Sequence, residues 1–368
     1  MTTLSHKLRL LGGLLSGGRA WTGPVTVMVD VTRRCNLRCP GCRYHSPHIG
    51  RPSPGDQGVD HFSPTLFETL CDQLERAGTR EIILTGDGEP SLNPGLLRIV
   101  STLGRSRLHS TLFTNGTLLD EDAVRWLIDA GLDVLTVSLW AGSQEDYARN
   151  YPASDPGLFE VVVDNLKRIS RIKAEQGSPR PTLRLYQPLN RNNFRNVEGM
   201  VDLARDSGCN ELHFTPFRSR RGRLNFLALS PDERASLKTT LKGMKSRLTS
   251  LQIGTNVDKV LYRYRIGESA WERTPCYVGW VQAHVKPDGS VFPCNSSDLP
   301  MGRLEEASFL QIWNGPTFQR FRQGMLSRNW RHEMEGQLDC GFCGQLPNNE
   351  RIHRVFRWLK PFRRGGDV

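Results

Sequence analysis

The sequence lacks long hydrophobic runs, and its longest near-continuous apolar stretches, such as residues 25–29, have only the length of a strand. A membrane-spanning helix needs about 20 apolar residues, so the pattern argues against a chain that crosses a bilayer. A signal peptide is also missing, because Gly12 and Gly13 interrupt the first apolar stretch and no small-residue cleavage site follows it. We therefore expect a cytoplasmic location.

Cysteine is scarce as well, with nine residues among 368, an odd number. A secreted scaffold held together by disulfides would have more, so the clustered cysteines are better interpreted as ligands of a metal or cluster in a reducing compartment. The sequence has no internal repeat and no low-complexity tract. With 38% hydrophobic and 24% charged residues, it is typical of a globular chain long enough for one large α/β barrel or two ordinary domains.

The middle of the chain has little net charge, although the whole sequence carries +11. Residues 1–34 contain five Lys or Arg against one acid, and residues 351–368 contain six against one. This distribution argues against a protein that recognises duplex DNA. The basic, partly apolar ends predict either peripheral contact with an anionic membrane or simply solvated termini. The apolar residues of the first end are Leu8, Leu10, Leu11, Leu14 and Leu15.

Short β-branched runs alternate with helical stretches from residue 25 to about residue 217, a pattern typical of βα units around a parallel sheet. The predicted strands are residues 25–31, 81–85, 110–114, 134–139, 182–186 and 211–215. The predicted helices between them are residues 66–76, 94–103, 121–130, 158–175 and 197–207. Six such units predict an α/β fold, a partial (β/α)6 TIM-like barrel with its chemistry at the carboxyl ends of the strands.

The regular alternation stops after residue 220. A polar helix is predicted over residues 231–251, and residues 281–294 predict a β-hairpin about a Pro-Asp-Gly turn. Residues 351–364 predict a short amphipathic helix that ends at Pro361. The sequence therefore predicts a second, smaller domain after the barrel.

The strongest motif is Cys35-Asn-Leu-Arg-Cys39-Pro-Gly-Cys42, directly after the first predicted strand. Three thiolates leave one iron of a 4Fe-4S cube open for another ligand. A zinc site completed by His45 or His48 is the alternative. The spacing resembles the CxxxCxxC loop of the radical S-adenosylmethionine superfamily, which implies that the methionyl group of the cofactor binds the open iron.

A second motif, Gly86-Asp-Gly-Glu-Pro90, follows the second predicted strand, where that family has a GEP segment beside the methionyl amine. The family usually has an aromatic residue before the third cysteine, whereas this sequence has Gly41. The resemblance implies cofactor-binding roles for Gly86, Gly88, Glu89, Pro90, Asn115 and Ser138.

Four later cysteines resemble the twitch or SPASM extension of the same family, in the form that holds one fully ligated auxiliary 4Fe-4S cluster. These are Cys276, Cys294, Cys340 and Cys343. The arrangement is most similar to the 2-deoxy-scyllo-inosamine dehydrogenase type, and a four-thiolate zinc site is the alternative. Cys71 and Cys209 are interpreted as core residues, with a hydrogen-donating thiol as the alternative for Cys209.

The resemblance covers roughly residues 25–345 and implies a barrel followed by a small β-hairpin/helix iron-sulfur domain. The expected organisation is a basic segment (1–24), the partial barrel (25–220), a helical connector (221–275), the twitch/SPASM-like domain (276–345) and a basic amphipathic tail (346–368).

The resemblance implies cleavage of S-adenosylmethionine to a 5'-deoxyadenosyl radical, which takes a hydrogen atom from the substrate. We expect oxidation of a small molecule with the auxiliary cluster as electron acceptor, because no leader-peptide domain precedes the barrel. The alternatives are a maturase of a ribosomally made peptide, an RNA-modifying enzyme, and a non-enzymatic iron-sulfur or zinc scaffold. Flavodoxin or ferredoxin is the expected electron donor. The candidate substrate contacts are Trp140, Arg184, Tyr186, Gln187, Arg218 and Arg220.

Overall fold

A parallel sheet forms the framework of the molecule. The computed structural model describes residues 4–49, 58–267, 271, 274–327, 336–340 and 343–359. Its first six strands are β1 (Thr26–Asp30), β2 (Glu81–Thr85), β3 (His109–Thr114), β4 (Val134–Ser138), β5 (Thr182–Leu189) and β6 (Glu211–Pro216). They lie side by side in chain order, and every neighbouring pair is parallel. The predicted partial (β/α)6 barrel is confirmed.

Helices connect these strands and cover the sheet. The helices are α1 (Leu4–Ser16), α2 (Pro64–Arg76), α3 (Leu96–Gly104), α4 (Glu121–Asp129), α5 (Gln144–Asn150), α6 (Leu158–Glu175), α7 (Val197–Asp206), α8 (Pro231–Ser250), α9 (Val257–Ile266), α10 (Val278–Val281), α11 (Phe309–Trp313), α12 (Pro316–Leu326) and α13 (Leu346–Leu359). Several of them begin with ordinary capping chemistry: the Asp120 carboxylate accepts from the amide of Ala123, and Ser230 forms a capping box with Glu233.

The sheet continues beyond the predicted barrel at both edges. Strand β7 (Gly254–Thr255) pairs with β6, and β8 (Gln282–Val285) pairs in parallel with β1. Strand β9 (Ser290–Phe292) forms the predicted hairpin with β8 and pairs on its other side with β10 (Gly302–Arg303). Gly289 takes a φ of 76° in the hairpin turn, a conformation that favours glycine. The hairpin therefore extends the barrel sheet instead of forming a separate one, since β1 offers it an unpaired edge.

Arg322, on α12, connects three parts of the chain. Its buried guanidinium donates to three main-chain carbonyls, those of Gly279 at 2.7 Å, Trp313 at 2.7 Å and Gly18 at 3.1 Å. The guanidinium carbon also lies 4.5 Å from the centre of the Trp313 ring. Burial lowers the pKa of Arg322 to about 9. Three separate segments thus meet at one side chain.

The amino-terminal leucines are mostly not available to a membrane. Leu14 is fully buried, and Leu10, Leu11 and Leu15 pack against the core, so only Leu8 is well exposed. This corrects the expectation of an apolar membrane-facing stretch there, because the helix packs on the protein itself. At the other end, α13 is a helix as predicted, but its predicted end at Pro361 lies outside the described residues. No helix in the described ranges combines the length and hydrophobicity that a bilayer crossing requires.

Candidate active site at the carboxyl ends of the strands

The loop that follows β1, residues 35–42, carries the first three cysteines and is called the cysteine loop below. Its last turn is closed by the amide of Cys42, which donates to the carbonyl of Cys39 at 3.0 Å. The Cys42 sulfur accepts from the amides of Tyr44 and His45 at 3.3 and 3.2 Å, and the Cys35 sulfur accepts from Leu37 at 3.5 Å. Amide donors of this kind stabilise a ligating thiolate.

The electrostatics of the cysteine loop fit a bound cationic group. Burial raises the pKa of Cys35 to about 12 and also raises the pKa of Cys39 and Cys42. Charge on Cys42 and Cys35 raises the pKa of Cys39 further, which places the three sulfurs close together. Such thiols ionise when iron supplies positive charge. Among the described side chains, no three His, Cys, Asp or Glu are arranged to share a single metal ion.

The glycine segment, residues 86–90, lies directly against the chain that leads into the cysteine loop. The amide of Gly88 donates to the carbonyl of Thr32 at 3.1 Å, and the amide of Glu89 donates to that of Arg34 at 2.7 Å. A Cβ added to Gly88 would lie 1.9 Å from the Arg34 carbonyl oxygen. Glycine is therefore required here, because any side chain would force the two segments apart.

Glu89 connects the glycine segment to the end of β3. One of its carboxylate oxygens accepts from the Thr114 hydroxyl at 2.7 Å and from the Ser91 amide at 3.1 Å, and the other accepts from the Asn115 amide at 2.6 Å. The side-chain amide of Asn115 in turn donates to the side-chain oxygen of Asn36, in the cysteine loop, at 2.8 Å. Burial raises the pKa of Glu89 despite these bonds. Three strand ends are thus joined around one buried carboxyl group.

A cavity of about 480 Å³ opens at these strand ends. It brings together all three loop cysteines and all six predicted cofactor-binding residues, Gly86, Gly88, Glu89, Pro90, Asn115 and Ser138. The Ser138 hydroxyl accepts from the indole N–H of Trp140 at 3.3 Å. A Cβ added to Gly41 would lie 2.2 Å from the Trp140 ring. The ring of Trp140, which follows β4, therefore fills the space that a side chain at position 41 would occupy.

Half of the predicted substrate contacts reach the cavity. Trp140, Tyr186 and Arg218 line it. Arg184 does not, because its guanidinium pairs with Glu211 at 2.6 Å. Gln187 does not line it either, since it is buried and donates to the Ala141 carbonyl. The side chain of Arg220 lies outside the described part of the structure.

Several cavity residues were not predicted from the sequence. They include Met28, Arg43, Phe113, Phe217, Arg263, Gln282 and Asn295. Arg43 and Asn295 each follow a predicted ligand cysteine, which is the one sequence signal that singles them out. Arg263 and Gln282 reach the cavity only through long-range packing. The Phe217 ring lies edge-on to Trp140, with 6.1 Å between ring centres, and forms an aromatic wall with it.

The later cysteines form a second group, the auxiliary cysteine set (Cys276, Cys294, Cys340 and Cys343). Burial raises the pKa of Cys276, and charge on the other three sulfurs raises it further, so the four lie within electrostatic range of one another. The amide of Cys343 donates to the Cys340 carbonyl at 3.3 Å. Cys343 also lines the cavity. A set of four thiolates fits a fully ligated cluster. Cys71 and Cys209 belong to neither group and are buried in the core.

A buried ionic network connects the hairpin to both motifs. Lys286, in the hairpin turn, contacts Asp30 at 2.9 Å, Asp87 of the glycine segment at 2.5 Å and the Tyr44 hydroxyl at 3.1 Å. His284 pairs with the same Asp30 carboxylate at 2.7 Å. Despite burial, the neighbouring His284 and Lys286 charges hold the pKa of Asp30 well below its usual range. The hairpin thus holds the end of β1, the glycine segment and the chain after the cysteine loop together through Lys286.

Two family models match this chain. The radical SAM superfamily model matches residues 29–176, and the SPASM iron-sulfur cluster-binding domain matches residues 276–343. The chain belongs to the radical SAM superfamily. The matched regions contain the cysteine loop with the glycine segment and all four cysteines of the auxiliary set. S-adenosylmethionine and 4Fe-4S clusters are accordingly the cofactors of this radical SAM protein.

Relatives of this radical SAM protein include two named PqqA peptide cyclase. The one from Gluconobacter oxydans (strain 621H) is 27% identical over 308 residues, which are 81% of this chain and 79% of the relative. The one from Xanthomonas campestris pv. campestris (strain B100) is 27% identical over 337 residues, 87% of this chain and 82% of the relative.

Two solved structures share the fold. Streptococcus suis SuiB bound to its precursor peptide SuiA has a TM-score of 0.65 at 13% identity, over 87% of this chain and 71% of SuiB. Native anSMEcpe with bound AdoMet has a TM-score of 0.65 at 16% identity, over 91% of this chain and 100% of anSMEcpe.

Proposed function

We propose that this radical SAM protein is a peptide-modifying enzyme that joins two residues of a ribosomally made peptide. The supporting observation is the similarity to PqqA peptide cyclases across about four-fifths of both chains. This similarity favours the peptide alternative over the small-molecule oxidation expected from the sequence. The enzyme would act in the cytoplasm with a flavodoxin or ferredoxin as electron donor.

The cysteine loop and the auxiliary set would hold one 4Fe-4S cluster each. A cluster in the cysteine loop, with S-adenosylmethionine bound, would supply a 5'-deoxyadenosyl radical to remove one hydrogen atom from the peptide, and a cluster in the auxiliary set would supply an acceptor for the electron that leaves with a proton when the two residues join. Gly88 lets the glycine segment lie against the cysteine loop, and Glu89 holds that segment to the end of β3. A buried carboxylate at this position suits the methionyl ammonium group.

The remaining walls of the cavity would orient the peptide. Trp140, Phe217 and Tyr186 present aromatic surface that excludes water from the reacting side chains. Arg218 would contact the peptide from the β6 end, and its guanidinium is already held by the Ser296 hydroxyl at 2.8 Å. Because Cys343 shares this cavity, a peptide bound there would lie next to the auxiliary set as well as the cysteine loop.

The test uses the anaerobically reconstituted chain with S-adenosylmethionine, dithionite and synthetic peptides encoded by the short reading frames next to its gene. Mass spectrometry should find one peptide that loses the mass of two hydrogen atoms. Cys276→Ala should abolish that change, and Cys71→Ala should keep it. Cleavage of S-adenosylmethionine with every peptide mass unchanged would contradict the proposal. No cleavage at all by the reconstituted wild type would favour the scaffold alternative.

A further inference from the structure

Arg43 links the two cysteine groups by a direct contact. It follows Cys42 of the cysteine loop, and its terminal Nη1 donates to the main-chain carbonyl of Asn295, which follows Cys294 of the auxiliary set. Arg43 and Asn295 both line the cavity. One side chain and one hydrogen bond therefore span the space between a ligand of the first site and a ligand of the second.

Other arginines of the barrel hold the same part of the carboxyl-terminal region, the post-hairpin segment (residues 294–298). Arg218, after β6, donates to the Ser296 hydroxyl at 2.8 Å and to the Asp339 carbonyl at 3.4 Å. Arg221 donates to the Asp298 carboxylate at 2.6 Å on the more exposed side of the segment. Arg43 differs from both because it directly follows the last ligand cysteine of the cysteine loop.

The charge of Arg43 acts on both groups. Although burial raises the pKa of both Cys42 and Cys294, the Arg43 guanidinium opposes the rise at each of them. Arg218 opposes the rise at Cys294. The nearby carboxylate of Asp87 is paired with Lys286. The Nε of Arg43 is buried and has no hydrogen-bond partner among the described residues, so one donor of the guanidinium is left for a group bound in the cavity.

We propose that Arg43 is a positioning residue that fixes the post-hairpin segment against the cysteine loop and holds a positive charge between the two clusters. The inference rests on the proposed function, in that it takes each cysteine group to hold a cluster. It adds that one side chain fixes the separation of the two redox sites and contributes to the electrostatic potential at both.

The coupling has a measurable consequence. Each cluster becomes more negative on reduction, and a nearby guanidinium stabilises the reduced form. Without that charge, both midpoint potentials should move to more negative values. The auxiliary cluster would then be a poorer electron acceptor, and less peptide product would form for each S-adenosylmethionine cleaved.

The test is a redox titration of the reconstituted full-length chain followed by electron paramagnetic resonance, with no peptide present. Arg43→Gln should shift both cluster signals to lower potential. Arg43→Lys, which keeps the charge, should leave the potentials near the wild-type values but change the line shape of the auxiliary signal, because the ammonium cannot reproduce the guanidinium contact. Arg221→Gln is the matched control, since it removes an arginine contact from the same segment on its exposed side, and both potentials should stay unchanged.

Unchanged potentials in Arg43→Gln would overturn the proposal. If Arg43→Gln fails to load clusters, Arg43→Lys decides the matter: an auxiliary signal identical to the wild type would overturn the positioning role. Because these measurements need no peptide, they stand even if no peptide is modified. Conversely, a modified peptide together with unmoved potentials would uphold the proposed function and refute the role of Arg43.

Discussion

The two cysteine groups of this protein are built in opposite ways. The cysteine loop places three sulfurs within eight residues, after one strand, and backbone amides of the loop and of the residues just after it donate to two of them. The auxiliary set gathers four sulfurs from positions 276 to 343, and tertiary packing brings them together. The first group is a local motif, whereas the second exists only in the folded domain.

The difference in construction matches a difference in chemistry. All three loop cysteines line the cavity, and three thiolates leave a cluster iron open to a cofactor. Of the auxiliary set, only Cys343 reaches the cavity among the described residues, and four thiolates leave no iron open. A local, open group is suited to binding a cofactor, and a dispersed, closed group is suited to holding an electron.

The largest effect should come from removing one cysteine of each group. Cys39→Ser should lower S-adenosylmethionine cleavage to about one-thousandth of the wild-type rate or less, because the cofactor loses its iron site. Cys340→Ser should keep cleavage within about threefold while abolishing the peptide product. Chromatography of 5'-deoxyadenosine and mass spectrometry of the peptide measure the two outcomes. An equal loss of cleavage in both variants would contradict the division of roles.

Arg322 offers a way to loosen the packing of the carboxyl-terminal helices, including their contact with Gly18. Arg322→Met leaves three buried carbonyls without their charged donor and should lower the free energy of unfolding by about 4 kcal/mol. Urea denaturation measures the change. Arg98→Met is the control, since its pair with Glu68 is exposed and screened by solvent, so the loss of stability should be much smaller. A similar, small loss in both variants would show that the buried guanidinium is not a structural centre.

Gly88 offers the opposite perturbation, confined to the first site. Gly88→Ala should break the two main-chain hydrogen bonds to Thr32 and Arg34, each worth about 1 kcal/mol, and weaken S-adenosylmethionine binding by roughly thirtyfold. Calorimetric titration of the reconstituted protein measures the affinity. In Gly243→Ala, the added Cβ meets nothing within 4 Å, so the affinity should not change. Wild-type affinity in Gly88→Ala would refute the close-approach requirement.

The smallest effect concerns His213 of β6, which lies in neither group. Burial and the neighbouring Arg184 lower its pKa to about 4. The unfolded chain therefore binds a proton at higher pH than the folded chain, and stability should fall by up to about 1.4 kcal/mol for each pH unit as pH drops from about 6.5 towards 4. His213→Gln should show a flatter dependence in urea unfolding at pH 7 and pH 5. The same change in the free energy of unfolding between pH 7 and pH 5 in both proteins would contradict this linkage. The cluster content should be the same in both.

The sequence was sufficient to predict the features that depend on local pattern. The six parallel strands follow from β-branched runs separated by amphipathic stretches, and the cysteine loop follows from spacing alone. The pairing of β8 with β1 was not predictable, because Thr26 and Gln282 are distant in the chain and nothing in either strand specifies its partner.

The same limit applies to the site. Glu89 was predicted from its motif, but its bonds to Thr114 and Asn115 required the structure. Arg184 was predicted as a substrate contact, yet its guanidinium pairs with Glu211, and the sequence did not reveal that pairing. Arg43 was missed because the bond that gives it meaning joins residues 252 positions apart.

The central claim is that the chain holds two clusters in two independent cysteine groups. The most direct measurement is iron and acid-labile sulfide per chain after anaerobic reconstitution, in the wild type and in the Cys35→Ala, Cys39→Ala, Cys42→Ala triple variant. We predict about eight irons in the wild type and about four in the variant. About four irons falling to none, with zinc retained, would contradict the claim, because the auxiliary set would then be a structural zinc site.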